Sequence, residues 1–570
     1  MPKESTDAQG SSNAPTQGRD FSPPCERLLI IGLDGATWDV LDPLMAEGRM
    51  PNLRRLVENG ASGVLRSTIP PITPAAWTTF LTGRQPGSHG IIDFERYDAK
   101  TNRLTFNSTR CLDHVPTIWA RLGDRGLRVG SVNVPMTFPA VAVNGFMVSG
   151  FETPGPNSDF VYPPDLKTPI LQRWPDPTLR AKWRHTRLHP NRTFTRNVHY
   201  VSTSFHQGAE LTTWLGDCFG WNALMVVFKL TDNLQHKTWK YLDPRWPDRS
   251  SRRRDQVKRA FGEADRALGT LVEYAERNSA AVLVVSDHGH GSLEGKVQAN
   301  LLLKRWGYLA LRSAGAQSTT RWRYWVDRLL GRTRKFAREG DIAHDLAVDF
   351  SNTRACVMHA GMAGFLYINL KGRQPDGIVE PTEYEALRDE LRDRLLGREC
   401  RLVDPNGKKI QLFPEVHKPE ELYGCTRDEQ PWMPDLLLVP HETLAVVRKI
   451  RGRNVIRWMS YRRMEGTHRR DGIIIVSGAG VRPGFKFSAD IVDCAPTVLA
   501  MLGFHTPREM EGRVRAEIFE SAPPVSIVDR VAAPSSSAAG VVESPARGEV
   551  YSEAELQAVT DRLSDLGYLE

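Results

Sequence analysis

Short, continuous apolar runs recur along the chain, with helix-like stretches between them. A run without alternating polar residues predicts a strand that is buried on both faces. The runs are RLLIIGLDG (27–35), LRVGSVNVP (127–135), ALMVVFKLTD (223–232), AAVLVVSDHG (280–289), PDLLLVP (434–440) and DGIIIVSGAG (471–480). Residues 257–278 instead have apolar residues at helical spacing and a polar opposite face. Strands that alternate with helices predict an α/β fold with a mostly parallel sheet.

Three of the predicted strands end in an acidic residue. Asp34, Asp232 and Asp287 each lie at or just beyond the carboxyl end of a run. Ligands of such sheets bind outside the carboxyl ends of the strands. One such aspartate would be expected only to cap the next helix, but three on separate strands predict a functional site.

The polar and apolar patterns also divide the chain. The predicted parts are a disordered tail (1–26), one large domain (27–520) with insertions at about 150–220 and 310–430, a linker (521–549) and a C-terminal helix (550–570). The insertions are expected to cover a site at one edge of the sheet. Ser552 and Glu555 fit a capping box at the start of the final helix.

Composition narrows the class of protein. The chain has 75 Lys and Arg residues and 67 Asp and Glu residues, which give a formal net charge of +8 and a pI near 9.1. Such a basic protein suits an anionic substrate or surface. The sequence has no zinc-finger spacing or RNP-like motif, and no nucleic-acid module is expected. No apolar run approaches the ~18 residues of a membrane span. The absence of a secretory signal and the seven scattered cysteines predict a cytoplasmic protein. Oligomeric state leaves no signal in the sequence.

A threonine precedes a predicted helix in STIPPITPAAWTTFLTGRQPGSHGI (67–91). Pro74 suits the first helical position, Thr73 the N-cap and Gly83 the end. A hydroxyl at the positive end of a helix, beside free N–H groups, can bind phosphate or be stabilised as an alkoxide. The simpler interpretation is an N-cap alone. Of the competing hydroxyls, Thr78 and Thr79 would lie inside the helix, and Thr68 lies in extended chain.

Histidines accompany the acidic residues. In TDNLQHKTWK (231–240), Asp232 and His236 share one face if the segment is helical; the alternative is a helix cap. VVSDHGHG (284–291) adds His288 and, as a weaker candidate ligand or substrate contact, His290. His468 lies in a polar loop before the last run. Carboxylate and imidazole ligands without thiolates suit zinc or manganese rather than calcium. Two such ions about 4 Å apart can clamp a transferring phosphoryl group.

The order of these segments resembles the alkaline phosphatase superfamily. LLIIGLDG, TPAAWTTFLTGRQPGSHGI, KLTDNLQH, VVSDHGHG and GTHRRDGIIIVSG are similar to the type I phosphodiesterase/nucleotide pyrophosphatase branch, including its bacterial phosphohydrolase/phosphomutase group, over residues 27–520. The resemblance implies an alkaline-phosphatase-like sheet flanked by helices and a hydrolase of small-molecule phosphate esters. It also implies two metal sites, one formed by Asp34, Thr73, Asp287 and His288, and the other by Asp232, His236 and His468. Thr73 would be the nucleophile and become transiently phosphorylated.

The sequence departs from the family pattern at one position. Nucleotide pyrophosphatases usually have an asparagine three residues after the nucleophile, and Ala76 stands there. A sulfatase-type Cys/Ser-x-Pro-x-Arg pattern is absent around Thr73. Two alternatives stay open: a phosphomutase, and a non-catalytic protein that binds an anionic surface through RWRYWVDRLLGRTRKFAR (321–338). That stretch is more typical of a solvated helix on an insertion, since such basic faces are common.

Overall fold

The structure of the protein is a computed structural model. It describes residues 19–177, 190–245, 251–312, 346–426, 429–461, 464–478, 480–529 and 550–566. The basic aromatic stretch at 321–338 lies outside these residues. Among the helices that are described, none is both long enough and apolar enough to cross a membrane.

The strands are short and recur throughout the described chain. They are β1 Leu28–Leu33, β2 Ala61–Arg66, β3 Glu95–Asp98, β4 Arg103–Phe106, β5 Val129–Val134, β6 Gly145–Ser149, β7 Val161–Tyr162, β8 Ala223–Phe228, β9 Ala281–Val285, β10 Gly289–Leu293, β11 Gly295–Gln298, β12 Ala355–Ala360, β13 Gly364–Ile368, β14 Arg401–Val403, β15 Lys409–Gln411, β16 Glu415–His417, β17 Leu436–Val439, β18 Leu444–Val447, β19 Ile456–Trp458, β20 Glu465–Arg469, β21 Asp471–Ser477, β22 Lys486–Asp490, β23 Thr506–Pro507 and β24 Ile527–Val528.

The α-helices range from one turn to about eight turns. They are α1 Trp38–Ala46, α2 Pro51–Asn59, α3 Thr73–Thr82, α4 Pro86–His89, α5 Ile118–Asp124, α6 Lys167–Arg173, α7 Pro190–Phe219, α8 Leu230–Leu242, α9 Ser251–Arg277, α10 Ala299–Arg305, α11 Tyr384–Leu396, α12 Pro419–Tyr423, α13 Cys494–Met501 and α14 Glu553–Leu566.

A nine-stranded sheet forms the centre of the described structure, in the order β22–β2–β21–β9–β1–β8–β5–β6–β7. Most neighbours are parallel, while β21 runs antiparallel to both of its neighbours and β7 runs antiparallel to β6. Every residue of β1 and β8 is buried, as their uninterrupted apolar sequences predict. The predicted α/β fold with a mostly parallel sheet is confirmed.

Helices cover both faces of this sheet. Alternate residues of β1 point to opposite sides, so that Leu29 and Ile31 join one apolar core while Leu28 and Ile30 join another. Residues of α1, α2, α7, α8 and α9 pack in the first core, and residues of α3, α5 and α13 pack in the second. The carboxyl ends of the central strands therefore lie between two layers of helices.

A second, smaller sheet has its own core. Strands β12, β13, β17 and β16 are neighbours in that order, and all pair antiparallel. The apolar run at 434–440 supplies β17 of this sheet rather than a strand of the central one. A fully buried strand has the same sequence pattern in either sheet, and the pattern alone does not assign it.

Both ends of the described chain contact the large domain. Residues 19–26 fall within the predicted tail, where the backbone N–H groups of Asp20 and Phe21 donate to the carbonyl of Gly503. At the other end, Ser552 and Glu555 exchange the reciprocal hydrogen bonds of a capping box before α14. The guanidinium of Arg562, on α14, is buried and donates to the carbonyls of Phe151, Thr153 and Pro154.

We expect Arg562→Ala to lower the free energy of unfolding by about 2–4 kcal/mol, because three buried carbonyls lose a charged donor. Urea denaturation measures the loss. Asp561→Ala, on the exposed side of the same helix, is the matched control and should stay within about 0.5 kcal/mol of the wild type. Equal stabilities for the two variants would mean that Arg562 does not hold α14 in place.

Candidate functional site

The acidic candidates lie at one edge of the central sheet. Asp34 directly follows β1 and Asp287 follows β9, while Asp232 occupies the first turn of the helix that follows β8. Because β9, β1 and β8 are adjacent parallel strands, their carboxyl ends bring the three side chains together. All three carboxylates are buried.

A first cluster forms around the Asp232 carboxylate. Its Oδ1 lies 3.2 Å from Nε2 of His236 and 3.4 Å from Nε2 of His468. The two Nε2 atoms are themselves 3.0 Å apart. Residues 230–242 are helical, so the four-residue spacing places Asp232 and His236 on one face, as predicted.

Backbone carbonyls orient the predicted histidines. Nδ1 of His236 donates to the carbonyl of Gly466 at 2.8 Å, and Nδ1 of His468 donates to that of Pro71 at 2.8 Å. Nδ1 of His288 donates to the carbonyl of Gly289 at 3.1 Å. With the proton on Nδ1, each ring directs an Nε2 lone pair into the site, which is the arrangement typical of metal-binding histidines.

His290 joins the first cluster from the side. Strands β10 and β20 pair antiparallel, and their register places His290 directly opposite His468. Nε2 of His290 lies 3.6 Å from Oδ1 of Asp232, and neither ring nitrogen makes a hydrogen bond to the described residues. The sequence left His290 as a weaker candidate; its place on β10, opposite β20, brings its ring beside Asp232.

A second cluster surrounds Nε2 of His288. This atom lies 3.3 Å from Oδ2 of Asp287, 3.8 Å from Oδ1 of Asp34 and 3.4 Å from Oγ1 of Thr73. Thr73 is buried and is the first residue of α3, with Ile72 at the cap position. It therefore lies one position inside the helix rather than at the predicted N-cap, and its hydroxyl faces the histidine.

Nearby donors fix the two carboxylates of the second cluster. Trp77 Nε1 donates to Oδ2 of Asp34 at 3.3 Å, and the Gly35 N–H donates to Oδ1 of Asp287 at 3.0 Å. Gly35 has a φ of +67°, and a Cβ there would lie 2.8 Å from Nδ1 of His290. Any larger residue at this position would be strained and would collide with the site.

Burial controls the protonation of these groups. It raises the pKa of Asp34 well above its ordinary value and the pKa of Asp287 to about 8, with neighbouring carboxylates adding to both shifts. Burial also opposes the charge of Asp232, but His236 and the other imidazoles outweigh it and lower the pKa. The pKa values of His288, His290 and His468 are lowered by burial, so these rings are neutral near pH 7.

The donor set fits divalent cations. Within the described residues, two groups offer ligand atoms that lie within 4.8 Å of one another: Asp232, His236, His290 and His468, and Asp34, Asp232 and His288. Oδ1 of Asp34 and Oδ2 of Asp287 accept no hydrogen bond in the part of the chain that is described. Buried lone pairs that converge without donors are costly unless a cation binds them. This buried cluster of aspartates and histidines can therefore bind metal.

Two buried residues at the site were not candidates in the sequence. Lys229 immediately follows β8, and its Nζ lies 2.9 Å from the ring centre of Phe151. Burial lowers its pKa, while the charges of Asp34 and Asp232 oppose that shift. Ala76, the position at which the sequence departs from the family pattern, is completely buried in α3, and its methyl group cannot supply an amide contact to phosphate.

A charged trio connects the second sheet to the segment after α4. Nε2 of His359 lies 2.7 Å from Oδ2 of Asp93, and its Nδ1 lies 3.4 Å from Oε2 of Glu95. Burial lowers the pKa of His359, but the two carboxylates outweigh that effect and raise it to about 9. The imidazole therefore remains a cation at neutral pH.

This ion pair predicts a pH-dependent stability. Because the folded-state pKa of His359 is raised, the stabilisation is complete below about pH 6.5, the unfolded value, and is lost as the pH rises through about 9. We expect His359→Gln to cost at most about 3 kcal/mol near pH 6 and much less near pH 10. Urea denaturation at both pH values measures the difference. A gap that does not change with pH would contradict the charged state of His359.

Comparisons with known proteins agree with this architecture. A profile of the type I phosphodiesterase/nucleotide pyrophosphatase family matches residues 28–471. The curated proteins include none whose sequence matches the chain. A phosphonoacetate hydrolase from Sinorhizobium meliloti 1021, solved with phosphonoformate, shares 18% identity over 85% of this chain and 97% of its own, with a TM-score of 0.53. Human ectonucleotide pyrophosphatase/phosphodiesterase 5 shares 13% identity over 87% of this chain and 100% of its own, with a TM-score of 0.49.

At 18% identity, the similarity to the phosphonoacetate hydrolase shows a shared fold and nothing about activity. The family profile covers most of the chain and spans β1 to the start of β21. The match includes every segment that contributes to the two clusters. The chain therefore belongs to the type I phosphodiesterase/nucleotide pyrophosphatase family and is a hydrolase that acts on phosphoester bonds.

Proposed function

We propose that the protein is a two-metal phosphodiesterase that works through a phosphothreonine intermediate. Asp34, Asp287, His288 and Thr73 would hold one divalent ion, and Asp232, His236 and His468 the other. Zinc fits the mixed imidazole and carboxylate ligands, with manganese as the alternative. One observation carries the proposal: Oγ1 of Thr73 lies 3.4 Å from Nε2 of His288, in the second cluster.

In this proposal Thr73 is the nucleophile. It is the first residue of α3, at the end of the helix where the dipole favours an anion. Its oxygen would form a bond to phosphorus while the bond to the leaving alkoxide breaks, and the alkoxide departs with a proton as an alcohol. Water would then cleave the phosphothreonine, releasing a monoester and restoring the hydroxyl. When bound, the two ions would lower the pKa of the nucleophile and offset the phosphoryl charge.

A small-molecule diester is the expected substrate. Metal analysis of the purified protein, combined with assays of bis(4-nitrophenyl) phosphate and 4-nitrophenyl phosphate, tests the proposal. We expect bound divalent metal and faster hydrolysis of the diester. Chelation should abolish turnover, and added zinc or manganese should restore it. Metal-loaded protein that hydrolyses neither ester would contradict the proposal, and isomer formation from a sugar phosphate without phosphate release would favour a phosphomutase.

A further inference from the structure

A basic cavity lies between the N-terminal parts of α7 and α9. Its volume is about 620 Å³, within the range of roughly 300–1,000 Å³ found for small-molecule sites. Arg192 and Arg196 line it from α7, and Arg252 and Arg253 line it from α9. Asn191, Thr195, His199 and Gln256 are the other lining residues in the described part of the chain, and none of these eight is acidic.

One of the arginines is fixed in place. Arg253 donates to the Tyr241 hydroxyl at 2.8 Å and to Oδ1 of Asn191 at 2.5 Å, and its guanidinium lies 5.0 Å from the ring centre of Phe194. Gln256 donates to Thr195 Oγ1 at 2.8 Å, which joins the two helices at the same place. The walls of the cavity are therefore held by defined contacts.

The other arginines lack anionic partners. Arg192, Arg196 and Arg252 form no hydrogen bond or ion pair with the described residues. Arg192 and Arg252 lie in the first turns of their helices, where the dipole disfavours positive charge. Arg192 and Arg196 are also four residues apart on one helix face, where like charges repel. Residues 177–209, around the start of α7, contain six Lys and Arg and no Asp or Glu. On α9, Asp255 follows Arg252 by three residues, and its carboxylate lies 3.6 Å from the guanidinium of Arg49.

The cavity is separate from the two metal-binding clusters. Tyr241, which contacts Arg253, lies near the end of α8, whereas Asp232 lies in its first turn. Nine residues of helix correspond to about 14 Å along the axis. A ligand in the cavity would therefore not occupy the position beside Thr73.

We propose that this cavity binds a small soluble molecule that carries two or more phosphate groups. A planar guanidinium can bind two phosphate oxygens with two parallel hydrogen bonds. Because the cavity is lined by four guanidinium groups, a ligand with more than one phosphate matches it better than a single phosphate. Binding would relieve both the repulsion between the arginines and their unfavourable position against the helix dipoles. The site would be additional to the phosphoester-cleaving centre.

Calorimetric titration with methylenediphosphonate, which has no P–O–P bridge, tests this site in the full-length, metal-loaded protein. The pocket variant is Arg196→Ala/Arg252→Ala, and Arg259→Ala/Arg457→Ala is the control with the same change of charge. We expect the wild type and the control to bind the probe at the cavity, and the pocket variant to bind there about 100-fold more weakly. Binding at the cavity should also weaken as salt is added.

Diester hydrolysis by the pocket variant should equal that of the wild type, which separates this proposal from that of the catalytic function. Titration curves that coincide for the pocket variant and the control would overturn the proposal. Sedimentation with phosphatidylcholine vesicles that contain phosphatidylinositol 4,5-bisphosphate tests whether the ligand is instead a lipid headgroup. If vesicles bind through these arginines and the soluble probe does not, the cavity is a membrane-docking surface and the proposal fails.

Discussion

The Thr73→Ala variant is expected to lose hydrolysis of bis(4-nitrophenyl) phosphate by a factor of about 10⁴ or more, because the proposed nucleophile is removed. The neighbouring hydroxyls of α3 are not placed to replace it. Thr79 contacts the His89 ring at 2.9 Å, and Thr82 donates to the carbonyl of Thr78. Steady-state rates, measured with equal metal content, give the effect.

Two further variants make this test specific. Thr78→Ala removes another buried hydroxyl from the same helix, one that has no hydrogen-bond partner among the described residues, and should keep the wild-type rate. Thr73→Ser retains a hydroxyl and should remain within about tenfold of the wild type. Mass spectrometry of the wild type, quenched during turnover, should detect phosphate on Thr73. Undiminished hydrolysis by Thr73→Ala would exclude Thr73 as the nucleophile.

Asp232→Asn is expected to have the second-largest effect, because Asp232 contributes to both clusters of candidate ligands. The amide keeps the shape of the side chain but removes the charge that three imidazole nitrogens face at 3.2–3.6 Å. We expect metal content to fall and diester hydrolysis to drop by about 10³-fold or more. Elemental analysis after dialysis measures the metal directly.

Asp265→Asn is the matched control for this variant. Asp265 is also a buried aspartate, but it accepts hydrogen bonds from the backbone N–H groups of Asn52 and Leu53 at the start of α2. Its replacement should lower stability by about 1 kcal/mol, the usual loss for such a cap, and leave the metal content unchanged. Equal metal content in the Asp232 and Asp265 variants would remove Asp232 from the proposed ligands.

The local sequence predicted those parts of the site that depend on single elements. Asp34 and Asp287 could be placed because uninterrupted apolar strands end beside them, and parallel strands bring those ends to one edge of the sheet. The helical spacing of Asp232 and His236 predicted their common face. Pro74 predicted the start of α3 to within one residue, which put the Thr73 hydroxyl at the site.

Long-range pairing accounts for what the local pattern did not predict. His468 reaches the site because β20 pairs with β10, which lies far away in the sequence. The local pattern offered only a histidine before the last apolar run, and the family resemblance implied its place among the ligands. The same pairing places His290 beside Asp232. The antiparallel direction of β21 and the transfer of residues 436–439 to the second sheet also depend on tertiary contacts, since an apolar run has the same composition in either setting.

The most direct test of the central claim is anomalous X-ray scattering from crystals of the metal-loaded protein. We expect two peaks about 4 Å apart, one among Asp232, His236 and His468, and the other among Asp34, Asp287 and His288 beside the Thr73 hydroxyl. A protein whose crystals show no peak there, or whose metal lies elsewhere while it still hydrolyses diesters, would contradict the claim.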